Sequence, residues 1–314
     1  MNCFLPTGKW FVLFNLEIYS RDQIKEKMSN KVVLITGTNS GFGWLIAHSV
    51  AALGHKVYAT MRDTNGKNAD QAKALSRVEN VTVLDVSLTD EASVKNAVDT
   101  ILAKEGRIDV LVNNAGIGMT GVAESYTMAD VEEMFDVNLM APWQLMRLAL
   151  PGMRQQSEGL IINVTSGFGR FSLPFSAVYG ASKFGLEGLS EGLHYEVKPL
   201  GVDVVILQPG AFPTEMSQKA RAASDPSVNA HYGAIASFPG KMVNAVVQLF
   251  EAANPNPQEV ADEVVRLINL PKGQRPLRTV VDPTTGEFVK AANDAVQVEY
   301  AKVLAAFGMK ELLA

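Results

Sequence analysis

VVLITGTNSGFGWLIAHSV, residues 32–50, joins an apolar run to a helical pattern through a glycine-rich turn. The run Val32–Thr36 predicts a strand buried on both faces, because apolar and polar residues do not alternate in it. The helical pattern extends from Gly43 to Leu53. Gly37 permits the tight turn, and Gly41 and Gly43 let a pyrophosphate approach the backbone and the helix N-terminus. The stretch therefore predicts the first β-turn-α unit of a dinucleotide-binding sheet.

Outward from this unit, short apolar runs alternate with longer helical patterns. Strands are predicted at Lys56–Thr60, Val81–Val86, Asp109–Asn113, Leu160–Thr165, Val202–Gln208 and Arg278–Asp282, and helices at Glu91–Lys104, Met128–Met153, Val178–Lys198 and Gln258–Ile268. This repetition predicts the α/β class: a Rossmann-type doubly wound parallel sheet of about seven strands with helices on both faces.

The chain is expected to form one catalytic domain over residues 30–314. Residues 1–29 precede the first convincing strand and are predicted to be a poorly ordered extension. The pattern breaks down over about residues 212–240, where several prolines stand among small and polar residues. A long irregular insert of this kind is typical of a functional lid, here over the substrate. Residues 258–314 are expected to form a C-terminal extension.

Composition excludes several classes of function. The 314 residues carry a net charge of −5, which argues against a nucleic-acid partner. Cys3 is the single cysteine of the sequence, and its four histidines lack metal-ligand spacing, so neither a disulfide nor a metal site is expected. The apolar runs are too short for a membrane span. We expect a cytoplasmic protein.

The end of the second predicted strand distinguishes between the two nicotinamide cofactors. An acidic residue there would bind the ribose hydroxyls of NAD, but the sequence V-Y-A-T-M-R-D has Met61 at that position, followed by Arg62. A guanidinium can bind a 2'-phosphate through charge-assisted hydrogen bonds. This favours NADP, while Asp63 leaves NAD open as the less favoured cofactor.

Tyr179 and Lys183 stand four residues apart at the start of a predicted helix, and therefore on one face of it. A free tyrosine has a pKa of about 10. We expect the ammonium, together with a positive nicotinamide ring, to lower that pKa toward neutrality. Ser166 follows the fifth predicted strand at the edge of the sheet where ligands bind. Asn138, a polar residue in an apolar helical pattern, is either a hydrogen-bonded core amide or part of the site.

As a set, these residues resemble the short-chain dehydrogenase/reductase family in its single-domain form. The resemblance spans about residues 30–215 and includes the N-N-A-G run at 113–116. It extends to Pro209, Gly210 and Thr214, which are similar to the family's segment closing over the nicotinamide. Asp85 and Val86 look like its adenine-contacting pair. Residues 57–63 also look like the hydroxysteroid and retinol dehydrogenase side of the family.

The resemblance implies hydride transfer between C4 of the nicotinamide and a carbonyl or secondary alcohol carbon. It implies that Tyr179 is the general acid/base, that Lys183 lowers its pKa and binds the ribose, and that Ser166 orients the substrate oxygen. Asn138 would anchor a water that links Lys183 to solvent. The implied cofactor-binding set, besides Tyr179 and Lys183, is Gly37, Thr38, Ser40, Gly41, Phe42, Gly43, Arg62, Asp85, Val86, Asn114, Ala115, Gly116, Pro209, Gly210 and Thr214.

The resemblance also implies a homodimer or homotetramer packed through the helices that contain Asn138 and Tyr179. The expected partner is a small, apolar carbonyl or alcohol substrate. Alternatives are a non-catalytic NAD(P)-binding sensor, an NAD-preferring alcohol dehydrogenase, and an epimerase or dehydratase of the related extended fold. The sensor could dispense with Tyr179, which is present. The last class generally shows G-x-x-G-x-x-G, whereas Gly37, Gly41 and Gly43 give G-x-x-x-G-x-G.

Overall fold

The computed structural model describes residues 12–14, 17–19, 30–216 and 221–313. Val12–Phe14 pairs antiparallel with Glu17–Tyr19. The disorder predicted for the rest of residues 1–29 lies outside the described residues. Within the ranges that are described, no helix has both the length and the apolar composition of a membrane span.

Seven parallel strands form the central sheet. They are β1 Val32–Thr36, β2 Lys56–Met61, β3 Val81–Asp85, β4 Val110–Asn113, β5 Gly159–Val164, β6 Val202–Pro209 and β7 Arg278–Val281. Their order is β7-β6-β5-β4-β1-β2-β3, with every neighbouring pair parallel. The order reverses between β1 and β4, which creates the crevice where ligands bind in such sheets. The predicted fold class is confirmed.

Helices cover both faces of the sheet. They are α1 Gly41–Ala52, α2 Ala69–Leu75, α3 Glu91–Glu105, α4 Met128–Phe135, α5 Ala141–Gln156, α6 Ala177–Val197, α7 Phe238–Ala253, α8 Gln258–Asn269 and α9 Gly286–Ala306. The single helix predicted over Met128–Met153 is α4 and α5, joined by a π-helical turn at Asp136–Met140.

The core has two parts because the strand side chains alternate between the faces of the sheet. In β1, Val33 and Ile35 pack in the part that includes residues of α1 and α8. Val32 and Leu34 point the other way, into the part that includes residues of α3, α5 and α6. The helix α8 belongs to the first of these two core parts, and β7 belongs to the sheet. The beginning of the predicted C-terminal extension is therefore integral to the fold.

The predicted irregular insert is partly helical. A 3-10 helix at Pro226–Ser237 leads into α7, and neither contains a buried residue. The start of the segment is fixed to the body by Ser224, whose hydroxyl donates to Asp130 at 2.6 Å. The Tyr232 hydroxyl donates to Glu124 at 2.9 Å. From Ser224 onward the segment is thus anchored to the body by polar contacts, and its apolar side chains stay largely exposed.

A buried ion pair fixes β6 to the connection between α8 and β7. Asp203 and Arg275 lie 2.6 Å apart, and each side chain is 3% exposed. The Arg275 Nε also donates to the Leu267 carbonyl at 2.9 Å, and the Gly273 N–H donates to Asp203 at 3.0 Å. These bonds satisfy the charges that the fold removes from water.

Candidate active site

The glycine-rich turn between β1 and α1 leaves no space for a side chain at Gly37 or Gly43. Gly37 has φ +71°, and a Cβ on it would lie 2.8 Å from the Ala115 Cα. A Cβ on Gly43 would lie 2.2 Å from the Gly37 carbonyl oxygen, and Gly41 has φ +54°. The turn therefore presents bare backbone at the N-terminus of a helix, which is the arrangement that binds a pyrophosphate.

Side chains of the strand ends hold this turn in place. Thr38 is fully buried, and its hydroxyl donates to the Thr60 carbonyl at 3.1 Å. The Thr36 hydroxyl accepts the N–H groups of Asn114 and Ala115, each at 3.0 Å. The Asn114 amide donates to the Thr36 carbonyl at 2.8 Å. The side chains of Thr38 and Asn114 thus shape the turn itself.

The opposite wall of this turn comes from the segment that follows β6. Thr214 lies against the helix N-terminus, since a Cβ on Gly41 would be 3.6 Å from the Thr214 Cβ. The Gly210 N–H donates to the Val281 carbonyl at 2.9 Å. Phe42 meets Phe212 edge to face at 5.5 Å. Ser40 precedes α1, and its hydroxyl does not cap the helix backbone. Phe212 and Thr214 thus lie against the turn, and Gly210 is held beside them by β7.

The turn after β2 presents Arg62, which is exposed, directly after Met61. Asp63 directs its carboxylate back into the turn, accepting the Lys67 N–H at 2.8 Å. The Asp85 carboxylate accepts the N–H groups of Asp63 and Thr64 at 3.0 and 2.9 Å, and the Thr64 hydroxyl at 2.7 Å. These hydrogen bonds lower the pKa of Asp85. Both carboxylates accept hydrogen bonds from the turn, and Arg62 lies exposed beside them.

Tyr179 and Lys183 lie one turn apart near the start of α6, as predicted from their spacing. The Lys183 Nζ donates to the Val164 carbonyl at 3.0 Å and lies 5.9 Å from the centre of the Tyr179 ring. A Cβ on Gly116 would be 3.5 Å from that Nζ and 3.3 Å from the Asn138 Oδ1. The ends of β4 and β5 therefore meet the predicted catalytic helix at Lys183.

Burial governs the protonation of both groups. It raises the pKa of Tyr179, and the nearby Ser166 hydroxyl opposes this. It lowers the pKa of Lys183 to about 8, against the attraction of Glu187. The protein alone therefore does not produce the lowered tyrosine pKa expected from the sequence. Such a lowering needs the positive nicotinamide beside Tyr179 as well as Lys183.

Asn138 sits fully buried in the π-helical turn between α4 and α5. Its amide nitrogen donates to the Ile117 carbonyl at 2.9 Å and to the Ser182 hydroxyl at 3.0 Å. Its amide oxygen accepts the Ile117 N–H at 2.9 Å. The side chain thus joins the loop after β4 to α6, and its implied water-anchoring role stays a prediction.

Comparison with known proteins identifies the family. The model of the short chain dehydrogenase family matches residues 31–225, more than half of the chain. The chain belongs to the short-chain dehydrogenase family. Members of this family are oxidoreductases acting on CH–OH and C=O groups.

Two curated short-chain dehydrogenases show how far the likeness extends. The 3-ketodihydrosphingosine reductase of Bacteroides thetaiotaomicron is 32% identical over 82% of this chain and 89% of its own length. Human retinol dehydrogenase 8 is 32% identical over 76% of this chain and 78% of its own.

Solved short-chain dehydrogenases share the fold. One from Streptomyces avermitilis, 30% identical, has a TM-score of 0.72 over 90% of this chain and 98% of its own. A metagenomic member in complex with NADP, 27% identical, gives 0.63 over 82% and 99%. The 3-ketoacyl-(acyl-carrier-protein) reductase of Brucella melitensis, complexed with NADH and 26% identical, gives 0.66 over 80% and 96%.

Sequence reasoning missed one charged residue behind the crevice. Glu187 is buried one helical turn beyond Lys183 and contacts Thr165 and Gln208 at the ends of β5 and β6. The signal was available, because Glu187 repeats the spacing of four that links Tyr179 to Lys183. A buried carboxylate at that spacing favours the charged form of Lys183 in this short-chain dehydrogenase.

Proposed function

We propose that the chain is an NADP-dependent oxidoreductase that acts on an apolar carbonyl or secondary alcohol, with Tyr179 as general acid/base. The observation that carries the proposal is the convergence of Ser166, Tyr179 and Lys183 beside the glycine-rich turn. The three residues come from the end of β5 and the first turns of α6. Their chemical types suit proton transfer to an oxygen atom held at the carboxyl edge of the sheet.

A nicotinamide held in the crevice would supply or accept the hydride, and side chains of this chain donate or accept the proton. In the reducing direction, Ser166 orients the carbonyl oxygen and the Tyr179 hydroxyl donates a proton to it. The Lys183 ammonium stabilises the phenolate that remains, because opposite charges favour the ionised form. In the oxidising direction, Tyr179 takes the proton back from the alcohol.

Exposed apolar side chains near the proposed catalytic residues support the proposal that the substrate is apolar. Phe171 and Leu173, between Ser166 and Tyr179, are 42% and 40% exposed. Phe238 at the start of α7 is 43% exposed, and its ring lies 6.0 Å from that of Phe175. Two relatives, a 3-ketodihydrosphingosine reductase and retinol dehydrogenase 8, are named for a ketone and an alcohol, the two groups that the proposed reaction interconverts. We assign residues 212–240, with α7, as the substrate lid.

The decisive test is a fluorescence titration with NADPH and with NADH, followed by turnover on apolar ketones, aldehydes and the matching secondary alcohols. We expect tight binding of NADPH, weaker binding of NADH, and NADPH-dependent loss of the carbonyl. If neither NADPH nor NADH binds, the proposal is overturned. Tighter binding of NADH would transfer the role of Arg62 to Asp63.

Arg62→Ala is expected to weaken NADPH binding by about 1.5–3 kcal/mol, roughly 10- to 150-fold, and to leave NADH binding nearly unchanged. The reason is that a charge-assisted contact to the 2'-phosphate is lost, and NADH lacks that phosphate. The measurement is the pair of dissociation constants from the two titrations.

Arg77→Ala is the matched control for this change. It removes the same charge from an exposed residue between α2 and β3. This residue lies where the strands begin, at the opposite end from their carboxyl ends. We expect it to leave both dissociation constants unchanged. Equal weakening of NADPH and NADH by Arg62→Ala would mean that Arg62 only supports the turn.

A charge introduced at Phe184 is expected to dissociate the proposed homo-oligomer. Met128 and Met140, on α4 and in the π-helical turn, are 69% and 53% exposed, and Phe184 on α6 is 42% exposed. Light scattering should show a dimer or tetramer for the wild type and smaller species for Phe184→Glu, because a charge is costly to bury. A wild type that is monomeric at micromolar concentration would remove the oligomer from the proposal.

A further inference from the structure

A buried carboxylate lies on the same face of α6 as the proposed catalytic residues. Glu187 is 3% exposed and follows Lys183 by four residues. Its Oε1 accepts the Gln208 amide at 2.6 Å and the Thr165 hydroxyl at 3.2 Å. Thr165 directly precedes Ser166, so this carboxylate supports the strand ends that border the reacting atoms.

A closed ring of side chains fixes the position of the carboxylate. The Arg170 Nε donates to the Asn293 Oδ1 at 2.8 Å, and the Asn293 Nδ2 donates to the Gln208 Oε1 at 2.7 Å. Gln208 bonds to Glu187, and the Glu187 Oε2 lies 3.9 Å from the Arg170 Nη2. The turn after β5, strand β6 and helix α9 therefore together hold the Glu187 carboxylate of α6 in place.

The turn after Ser166 lies directly against this carboxylate. A Cβ on Gly169 would lie 2.7 Å from the Glu187 Oε1. The Ser166 hydroxyl in turn accepts the Phe168 N–H at 3.1 Å. Moving the carboxylate would thus disturb the turn that orients Ser166.

Charges near Lys183 come from several elements in the described part of the chain. On α6 itself they are Tyr179, Glu187 and Glu191. Across from Glu187 and Glu191 lie the guanidinium groups of Arg170, after β5, and of Arg278 on β7. The Arg278 Nε lies 3.4 Å from Glu187, and its Nη2 contacts Glu191. Glu187 is the carboxylate that raises the pKa of Lys183, against the burial that lowers it.

We propose that Glu187 is a positioning residue: its carboxylate keeps the Lys183 ammonium charged during proton transfer and holds the Ser166 turn in register. The inference rests on the proposed function, because it presumes that Lys183 acts as a cation beside Tyr179. A buried ammonium without this carboxylate would lose its proton at lower pH, and the phenolate would then lack its counter-charge.

The direct test measures the charge of Lys183. Protein labelled with ¹³C at the lysine Cε is titrated by NMR, and the Lys183 signal is assigned by its absence in Lys183→Arg. Glu187→Gln should lower the midpoint of this titration by about 1 pH unit, because a nearby opposite charge is removed. An unchanged midpoint overturns the proposal, whether or not the variant is active.

Turnover supplies the second readout. Glu187→Gln should move the alkaline limb of the kcat–pH profile to lower pH by about the same amount. Glu187→Asp, which keeps the charge, should return the limb most of the way to its wild-type pH. Glu191→Gln is the matched control, since it makes the same change one turn further from Lys183 and removes the other partner of Arg278. It should shift neither the limb nor the midpoint. An equal shift in both Gln variants would contradict a specific role for Glu187.

Two further outcomes separate this inference from the proposed function. If the wild type reduces no carbonyl but the Lys183 midpoint falls in Glu187→Gln, the substrate assignment fails and the electrostatic one stands. If Glu187→Gln does not fold, Arg170→Gln removes the facing cation instead and should raise the midpoint. No upward movement there overturns the proposal.

Discussion

Tyr179→Phe is expected to lower kcat by about 10²- to 10⁴-fold, because phenylalanine has no proton to donate to the substrate oxygen. NADPH binding should change little. The ring meets Phe168 edge to face at 6.0 Å, a contact that phenylalanine can keep. The measurement is kcat on a substrate from the carbonyl panel, with the NADPH dissociation constant determined on the same preparation.

Tyr58→Phe is the matched control, since it deletes the same oxygen atom on β2. The Tyr58 hydroxyl donates to Glu105 at 2.9 Å, which is part of no proposed step, so turnover should stay at the wild-type level. Turnover of Tyr179→Phe within tenfold of the wild type would remove Tyr179 from the proton-transfer step.

Arg275→Met is expected to lower the free energy of unfolding by about 3–5 kcal/mol, because it leaves the Asp203 carboxylate buried without its counter-charge. The side chain of Asp203 is 3% exposed and cannot turn to water while β6 stays in the sheet. Urea denaturation followed by circular dichroism measures the loss. A change below about 1 kcal/mol would show that water reaches the pair.

Two variants isolate the cause of this loss. Asp203→Asn combined with Arg275→Met removes the unpaired anion and should regain most of the stability. Arg266→Ala breaks the Glu263 pair, in which the Arg266 side chain is 49% exposed, and should cost about 0.5 kcal/mol or less. A double variant no more stable than Arg275→Met would assign the loss to packing around residue 275.

The strands and the fold class followed from the sequence because a parallel sheet buried on both faces has continuous apolar strands separated by helical patterns. Every residue of Val32–Thr36 is buried, as the uninterrupted apolar run predicts. No boundary of the other six strands differs from the prediction by more than one residue. Right-handed crossovers then leave few possible arrangements for repeated strand–helix units.

The lid segment was harder because its local signals conflict. Pro226 and Pro239 suggest irregular chain, yet each stands in the first turn of a helix, where proline needs no N–H partner. Gly233, with φ +51°, lies between these two helical starts. Amphipathic helices without a buried face also lack the tertiary contacts that make periodicity decisive.

At the site, spacing predicted which residues share a helix but not how neighbouring elements use them. Tyr179 and Lys183 lie together, as their separation requires. The commitment of Asp63 and Asp85 to the turn that carries Arg62 depends on a non-glycine residue with φ +55°, which local sequence did not indicate. The contacts of Glu187 with Arg170 and Asn293 join residues far apart in sequence, and the sequence offered no means of pairing them.

The hydrogen bond from Asn293 to Gln208 means that α9 completes the ring of side chains around Glu187. Synthesis runs from the N-terminus, so the glycine-rich turn and strands β1–β4 leave the ribosome long before this helix. The glycine-rich turn is thus made early, whereas the wall that faces it after β6 and the helix that holds Gln208 are made later. A chain cut before residue 293 retains both walls but lacks the Asn293 contact to Gln208, so we expect it to bind the dinucleotide and to turn it over poorly. The site is therefore completed only when α9 has been made.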